Sequence, residues 1–406
     1  MRPASCGGLT IGRDWRQPDR SSCWSQYHPS RLSLPTAIMG VAKAARKEKV
    51  MVAMSGGVDS STAAALLKEA GYEVTGVTLA LWPEDTPPPP GENGCCSLQA
   101  VDDARRVAAI LDIPYYVLNF RDLFQHEVID YFVASYLEGE TPNPCIACNR
   151  RIKFGALLTK AQALGMDYLA TGHYARRHYD AERGRYLLAK GRDSSKDQSY
   201  ALYTFTQVQL ARTLLPLGDY TKVEVRRMAA RYGLPVAKKA ESQEICFITA
   251  GDYRDYLQEK AGAAIKPGPI LDVRGRVLGR HRGLPYYTIG QRKGLGLAVG
   301  EPLFVVALDT ERNAVIVGSR EDLEQRVLYA RTNNYILWRE PPPQARVTAK
   351  IRYRAPEAAA TLYPLAGGRA RLEFDAPQRA ITPGQAVVYY QGDLVAGGGT
   401  IEQQEA

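Results

Sequence analysis

The run Ser55-Gly56-Gly57-Val58-Asp59-Ser60-Ser61 lies between a short apolar stretch, Lys49 to Met54, and an Ala/Leu-rich stretch, Ser61 to Ala70, that stops at Gly71. A strand running straight into a helix through paired glycines is the opening unit of a parallel sheet with crossover helices. Its loop sits at the carboxyl edge, where such sheets bind ligands. Glycines let the backbone turn sharply and approach a ligand closely. The amides at the helix start, helped by the helix dipole, form an anion site. The hydroxyls of Ser55, Ser60 and Ser61 add donors for phosphate oxygens. Asp59 would repel a bare phosphate and makes sense beside a magnesium ion. No Gly-Lys-Ser/Thr follows, so this is not the Walker loop. The plain alternative is a Gly-Ser turn that only caps a helix.

The alternation continues. Glu73 to Leu81 is β-branched and apolar, and a Pro-rich loop follows at Pro87 to Pro90. Ser97 can cap a helix reaching about Leu111. Tyr115 to Asn119 is a strand, Leu123 to Glu138 a helix, Phe154 to Leu164 another ending at Gly165, and Asp167 to Thr171 a further strand. This pattern predicts an α/β fold, a parallel sheet covered by helices on both faces. Beyond it, Tyr174 to Tyr179 and Arg185 to Lys190 read as a hairpin. Gln207 to about Tyr232 reads as helical, with a break at Leu214-Leu215-Pro216. Lys266 to Val317 is Gly/Pro-rich with short strands such as Leu303 to Leu308. From about Glu321 to Gln404, alternating segments such as Ala345 to Tyr353 and Ala386 to Tyr390 predict a small β-barrel.

A chain of 406 residues has room for two or three domains. The expected division is a leader at 1–47, a nucleotide-loop domain at 48–250 with a small helical part from about 208, a central domain at 251–318 and a barrel at 319–406. Ordinary hydrophobic and charged fractions, 45% and 23%, exclude collagen, a disordered tail and a disulfide scaffold. No apolar run reaches the roughly 18 residues of a membrane helix. The leader is Arg- and Ser-rich with only Asp14 and Asp19 as acids. It is expected to be sequence ahead of a start at Met39, with an organellar transit peptide as the alternative. The net charge of +9 favours a polyanionic partner.

Seven cysteines, with no secretory signal, point to a reducing compartment and to reactive or metal-binding thiols. Cys145-Ile146-Ala147-Cys148-Asn149 follows Thr141-Pro142-Asn143-Pro144 and precedes Arg150, Arg151 and Lys153. The prolines hold the approach extended, and Asn149 or Thr141 can cap a helix beginning near Phe154. A cysteine near a helix start and a cationic cluster is expected to be partly thiolate. Three readings stay open here: a metal or iron–sulfur site, nucleophilic or redox sulfur chemistry, and plain burial. Cys246 follows Lys238-Lys239 and reads, alone, as a core cysteine; Cys95 and Cys96 read as incidental or reactive alike. His173, in Ala170-Thr171-Gly172-His173-Tyr174, follows a strand end and could reach the site. In the barrel, Lys350, Arg352 and Arg354 alternate with Ile351 and Tyr353, which would place three cations on one sheet face. Gly290-Gln291-Arg292-Lys293-Gly294 is a second basic loop. Cations beside Tyr286, Tyr287 and Tyr353 suit phosphate contacts and base stacking.

Together these motifs resemble those of the tRNA-specific 2-thiouridylases, from Lys49 to about Gln403. The markers are the SGGVDSS run, Thr141-Pro142-Asn143-Pro144 with Cys148-Asn149-Arg150, Ala170 to Arg176, Lys196-Asp197-Gln198-Ser199-Tyr200, Ile245-Cys246-Phe247, Gly290 to Gly294 and Thr382-Pro383-Gly384-Gln385. The resemblance implies a Rossmann-like ATP-pyrophosphatase domain of the PP-loop type, a small central domain and a C-terminal β-barrel. It implies ATP and magnesium as requirements, tRNA as substrate, a persulfide-carrying protein as sulfur donor, and a cytoplasmic location. Residues matching the family's nucleotide contacts are Ala53, Met54, Ser55, Gly56, Gly57, Val58, Asp59, Ser60, Leu79 and Gly172. Cys148 matches its nucleophile and Cys246 its persulfide cysteine, a pair that can form a disulfide as sulfur is delivered. Asn143, Pro144 and Cys145 match the segment facing the target base. His173, Lys196, Asp197, Gln198, Arg352, Tyr353 and Gln385 match tRNA-contacting positions. Many members carry Asp where this chain has Cys145. An iron–sulfur cluster on Cys145, Cys148 and Cys246 is therefore the alternative to the persulfide route. A PP-loop amide or guanidine synthetase and a non-catalytic tRNA-binding module are the remaining alternatives.

Overall fold

The computed structural model describes residues 47–81, 98–240, 245–248, 252–298 and 300–403. The leader and Cys95 and Cys96 lie outside them. β1 (Lys49–Ala53), β2 (Glu73–Ala80), β3 (Tyr115–Asn119) and β4 (Tyr168–Ala170) are parallel. The hairpin strands β5 (Ala175–Asp180) and β6 (Arg185–Lys190) follow, and then β7 (Thr213–Leu214) returns to the first sheet, whose order is β3-β2-β1-β4-β7. Along β1, Val50 and Val52 enter one hydrophobic core and Met51 another. Alternate side chains point to opposite faces, so a sheet buried on both faces needs an unbroken apolar strand. Helix Val58–Glu69 and helix Lys222–Arg231 pack on the valine side. Two continuous helices, 121–137 and 144–163, cover the methionine side.

Two elements differ from the sequence expectation. The break at Leu214 is itself a strand, two residues long and too short to show a period; it separates helix Gln207–Ala211 from helix Lys222–Arg231. The second difference lies upstream: a helix already begins at Pro144, not near Phe154. Asn143 caps it and proline occupies its first turn, where a missing N–H costs nothing and the fixed φ suits the helix. Asn149 is thus inside the helix, buried, donating to the Ala201 carbonyl at 3.1 Å.

β8 (Gly268–Asp272), β9 (Val277–His281), β10 (Phe304–Asp309) and β11 (Ala314–Gly318) make a small central sheet. The last six strands are β12 (Glu324–Tyr335), β13 (Ala345–Lys350), β14 (Ala358–Pro364), β15 (Ala370–Arg379), β16 (Ala386–Gln391) and β17 (Leu394–Ile401). β12 pairs with both β15 and β17, which closes a six-stranded barrel and leaves it no bare edge. β17 also pairs with β6 at Leu394 and Ala189, so a hairpin from the first half of the chain joins the barrel's sheet. The fold is α/β, as expected: a Rossmann-like parallel sheet, a small central domain and a C-terminal barrel. No helix among the described residues is long and apolar enough to cross a membrane.

Candidate functional site

The loop from β1 to helix Val58–Glu69 is shaped by what surrounds its glycines. Gly56 has φ +65°, and a Cβ there would collide with the Ala100 carbonyl. A Cβ on Gly172 would fall 2.7 Å from the Ser60 nitrogen. Gly57 is the helix N-cap and supplies no side chain to the first-turn amides, which suits them to an anion. The Ser60 hydroxyl accepts from the Ser55 amide at 3.0 Å, and the two hydroxyls stand 3.3 Å apart. Buried Ser61 Oγ has no partner among the described residues. Thr78 donates to the Met54 carbonyl at 2.7 Å, tying the loop to β2 beside Leu79. The ten residues expected at a nucleotide thus gather at the carboxyl ends of β1, β2 and β4. Open amides, hydroxyls and a glycine-lined cradle fit a triphosphate.

Two residues here escaped the sequence reading. Lys222 donates to both Asp59 carboxylate oxygens, at 2.7 and 2.8 Å, and the Tyr174 hydroxyl donates to Oδ1 at 2.7 Å. Asp59 therefore has a cationic partner in the protein itself. It remains the carboxylate that would hold a magnesium ion, which ordinarily binds through one or two carboxylates plus phosphates.

On the other side of the sheet, Asn143 Oδ1 accepts from the Ile146 amide at 3.2 Å and starts the helix that carries both cysteines. Cys145 is exposed in its first turn. Cys148 is half-buried where the helix enters a π register, Cys148–Leu157. Such registers are rare and are often found at functional sites. Cys246 is half-buried, and it and Cys148 pack against the same hydrophobic core. Phe247 meets Phe132 at 5.2 Å and Phe124 at 6.0 Å. Both aromatics belong to helix 121–137, which packs against the cysteine helix. Among the described residues no three His, Cys, Asp or Glu converge to hold a metal ion.

The positions matched to tRNA contacts divide. Asp197 Oδ1 accepts from the amides of Gly191 and Ser199, at 3.0 and 3.1 Å, and Gln198 Oε1 accepts from the Tyr174 amide at 2.9 Å. These two side chains brace the chain beside half-exposed Lys196. His173 bonds Thr171 Oγ1 at 2.8 Å, and burial, then the Lys153 charge, push its pKa well below the ordinary value. Gln385 donates to the carbonyls of Thr141 and Pro142, at 3.0 and 3.4 Å. The barrel thereby grips the segment that leads to Asn143, Pro144 and Cys145, and a bidentate Arg331–Glu140 pair at 2.8 Å reinforces the grip.

The single cationic face expected of Lys350, Arg352 and Arg354 does not form. β13 ends at Lys350, and a turn closed by the Ala355 amide on the Arg352 carbonyl replaces the alternation. Arg352, Tyr353 and Arg354 stand exposed on that turn. Tyr287 is core and Tyr286 is half-buried with its hydroxyl on Gln258; the exposed ring beside these cations is that of Tyr353. A cavity of about 460 Å³ opens here, lined by Thr141, Thr288, Gly290, Arg352, Arg379 and Gln385 among others. It joins the Thr141 segment that leads to Asn143, the start of the basic Gly290 loop and the barrel.

Three family models match the chain in order: "tRNA methyl transferase HUP domain" at residues 48–250, "tRNA methyl transferase PRC-barrel domain" at 254–319 and "Aminomethyltransferase beta-barrel domain" at 325–401. The tRNA-specific 2-thiouridylase MnmA of Moorella thermoacetica is 86% identical over 87% of this chain and 99% of its own length. That of Pelotomaculum thermopropionicum is 57% identical over 88% of this chain and 98% of its own. Among solved structures, an NMN synthetase from Francisella tularensis aligns with 53% of this chain and 77% of its own at 19% identity, with a TM-score of 0.30, too loose to bear on function.

Proposed function

The chain belongs to the tRNA-specific 2-thiouridylase family, and from that premise we propose how its residues divide the work of ATP-dependent thiolation of tRNA uridine at C2. The bounds 48–250, 251–318 and 319–406 serve as its three working parts. The loop at Ala53–Ser60, with Leu79 and Gly172, holds ATP, and Asp59 holds the accompanying magnesium. Asn143, Pro144 and Cys145 present the wobble uridine. Its C2 oxygen attacks the α-phosphate and pyrophosphate leaves, so that a poor leaving group becomes AMP. Cys246 carries the terminal sulfur of a persulfide, received from a donor protein. That sulfur attacks C2 and AMP departs with the oxygen. The Cys148 thiolate then attacks the Cys246 Sγ. The bond between Cys246 and the transferred sulfur breaks, leaving 2-thiouridine on the tRNA and a Cys148–Cys246 disulfide that external thiol must reduce. Lys196, Arg352, Tyr353 and Gln385 lie on the tRNA side, and Asp197, Gln198 and His173 support it. The work takes place in the cytoplasm.

The observation that carries this reading is that Cys148, on the helix that starts at Asn143, and Cys246, far along the chain, pack against one hydrophobic core. Methyl transfer, the wording attached to the family models, needs neither a triphosphate loop nor two thiols. An amide synthetase or a non-catalytic tRNA-binding module needs no thiol pair either. The test supplies ATP, magnesium, a persulfide donor protein and unmodified tRNA, followed by mass spectrometry of the nucleosides. The intact chain should yield 2-thiouridine. Cys148→Ser and Cys246→Ser should each lose it while still releasing pyrophosphate; full activity in both variants would refute the sulfur route.

A further inference from the structure

A loop made to accept a polyphosphate gains nothing from an uncompensated carboxylate, yet Asp59 stands in its first helical turn. Lys222 answers that charge with contacts to both oxygens, at 2.7 and 2.8 Å. The lysine is only 8% exposed, and lysine is seldom buried so far without an anionic partner. It is also the first residue of helix Lys222–Arg231, the end where the helix dipole disfavours a cation. Two adverse placements are tolerated so that one ammonium reaches a carboxylate 163 residues away. The backbone at this point is fixed as well. The Lys222 amide donates to Asp193 Oδ2 at 2.9 Å, and Thr221 and Glu224 close a capping box around the helix start.

We propose that Lys222 is a positioning residue of the nucleotide site. By neutralising and holding Asp59, it lets the loop accept polyphosphate before a metal ion engages that carboxylate. The inference rests on the ATP-dependent reading above. Lys222 acts through Asp59 rather than through a separate contact with the nucleotide. Lys239 has a different post, dividing its Nζ between Asp103 at 2.6 Å and the Gly56 carbonyl at 3.2 Å.

The test is ATP affinity of the full chain by calorimetry, measured with magnesium and again with EDTA. Magnesium can neutralise Asp59 when Lys222 cannot, so Lys222→Met should weaken metal-free binding roughly tenfold more than metal-bound binding, the scale of one close uncompensated charge. A purely structural lysine would weaken both alike. Lys222→Arg should restore the ratio. In an Asp59→Asn background, which has no carboxylate to strand, Lys222→Met should change neither value; this arm stands even if the single variant folds poorly. An unchanged ratio in a folded Lys222→Met, or an equal loss that persists beside Asp59→Asn, overturns the proposal. Absence of ATP binding by the unaltered chain would instead bring down the ATP reading and this inference with it.

Discussion

The His173 imidazole is kept neutral by burial first and by the Lys153 ammonium second. His178 and His281 are also shifted down, again chiefly by burial. Each binds a proton more weakly folded than unfolded. As pH falls below the ordinary value near 6.5, the unfolded chain takes up protons that the folded chain refuses, and stability is lost. Urea midpoints should therefore hold steady from about pH 8 to 7 and fall between about pH 6.5 and 5. His173→Gln should make that fall shallower; an identical fall would mean that His173 is not excluded from protonation. The same residue illustrates what a sequence discloses. Its place after a strand end was legible, whereas its neutrality depends on side chains from other elements, among them Phe154, whose ring lies 5.8 Å away. Lys222 was illegible for the same reason, because nothing near it in the chain announces Asp59.

Secondary-structure signals read correctly where a single signal decides the element: the unbroken apolar run of β1, the Ala/Leu-rich run of helix Val58–Glu69 and the glycine turn of the β5–β6 hairpin. They failed where two effects compete. Pro142 and Pro144 signal extended chain, and the first does so, but Pro144 starts a helix because Asn143 caps it. The π register from Cys148 to Leu157 has no local signature except Gly155. A Cβ there would lie 2.9 Å from the Arg150 carbonyl oxygen, five residues back. Ordinarily alanine favours a helix over glycine by about 0.5–1 kcal/mol. Here the sign should reverse, with Gly155→Ala destabilising the chain by about 1–3 kcal/mol, the usual cost of overpacking. Thermal unfolding decides it. A raised Tm would mean that the helix relaxes to the α register without strain, and that the cysteine helix does not depend on its wide turn.

At the scale of the molecule, the barrel does two jobs through one rim. Its Thr382–Gln385 corner holds Thr141 and Pro142, with the Thr141 amide bonded to the Pro383 carbonyl at 2.9 Å, so the helix carrying the cysteines is fixed from outside its own sheet. The same rim carries Arg352, and Thr288, Ile289 and Gly290 of the central domain line the cavity opposite it, at the start of the loop that exposes Arg292 and Lys293. Cations at this rim would meet a polyanion beside the segment that leads to Asn143, Pro144 and Cys145. Composition foretold the partner's charge, but only the fold brings the stretch that begins the basic Gly290 loop to the same cavity as Arg352. Arg352 donates to backbone carbonyls at 3.4 and 3.5 Å, long contacts that leave the guanidinium able to take a phosphate. Neutralising one phosphate releases condensed counterions, so each such contact adds about 0.7–0.9 to the slope of log K against log salt. Arg352→Ala should lower tRNA affinity and reduce that slope by about one phosphate's worth, with ATP-site affinity unchanged because the nucleotide loop lies on the parallel sheet. Filter binding over a range of salt concentrations measures both quantities. A weaker complex with an unaltered slope would assign Arg352 to holding the Arg379–Ala380 corner, and the phosphate contacts would then fall to other cations, Lys196 and the Gly290 loop among them.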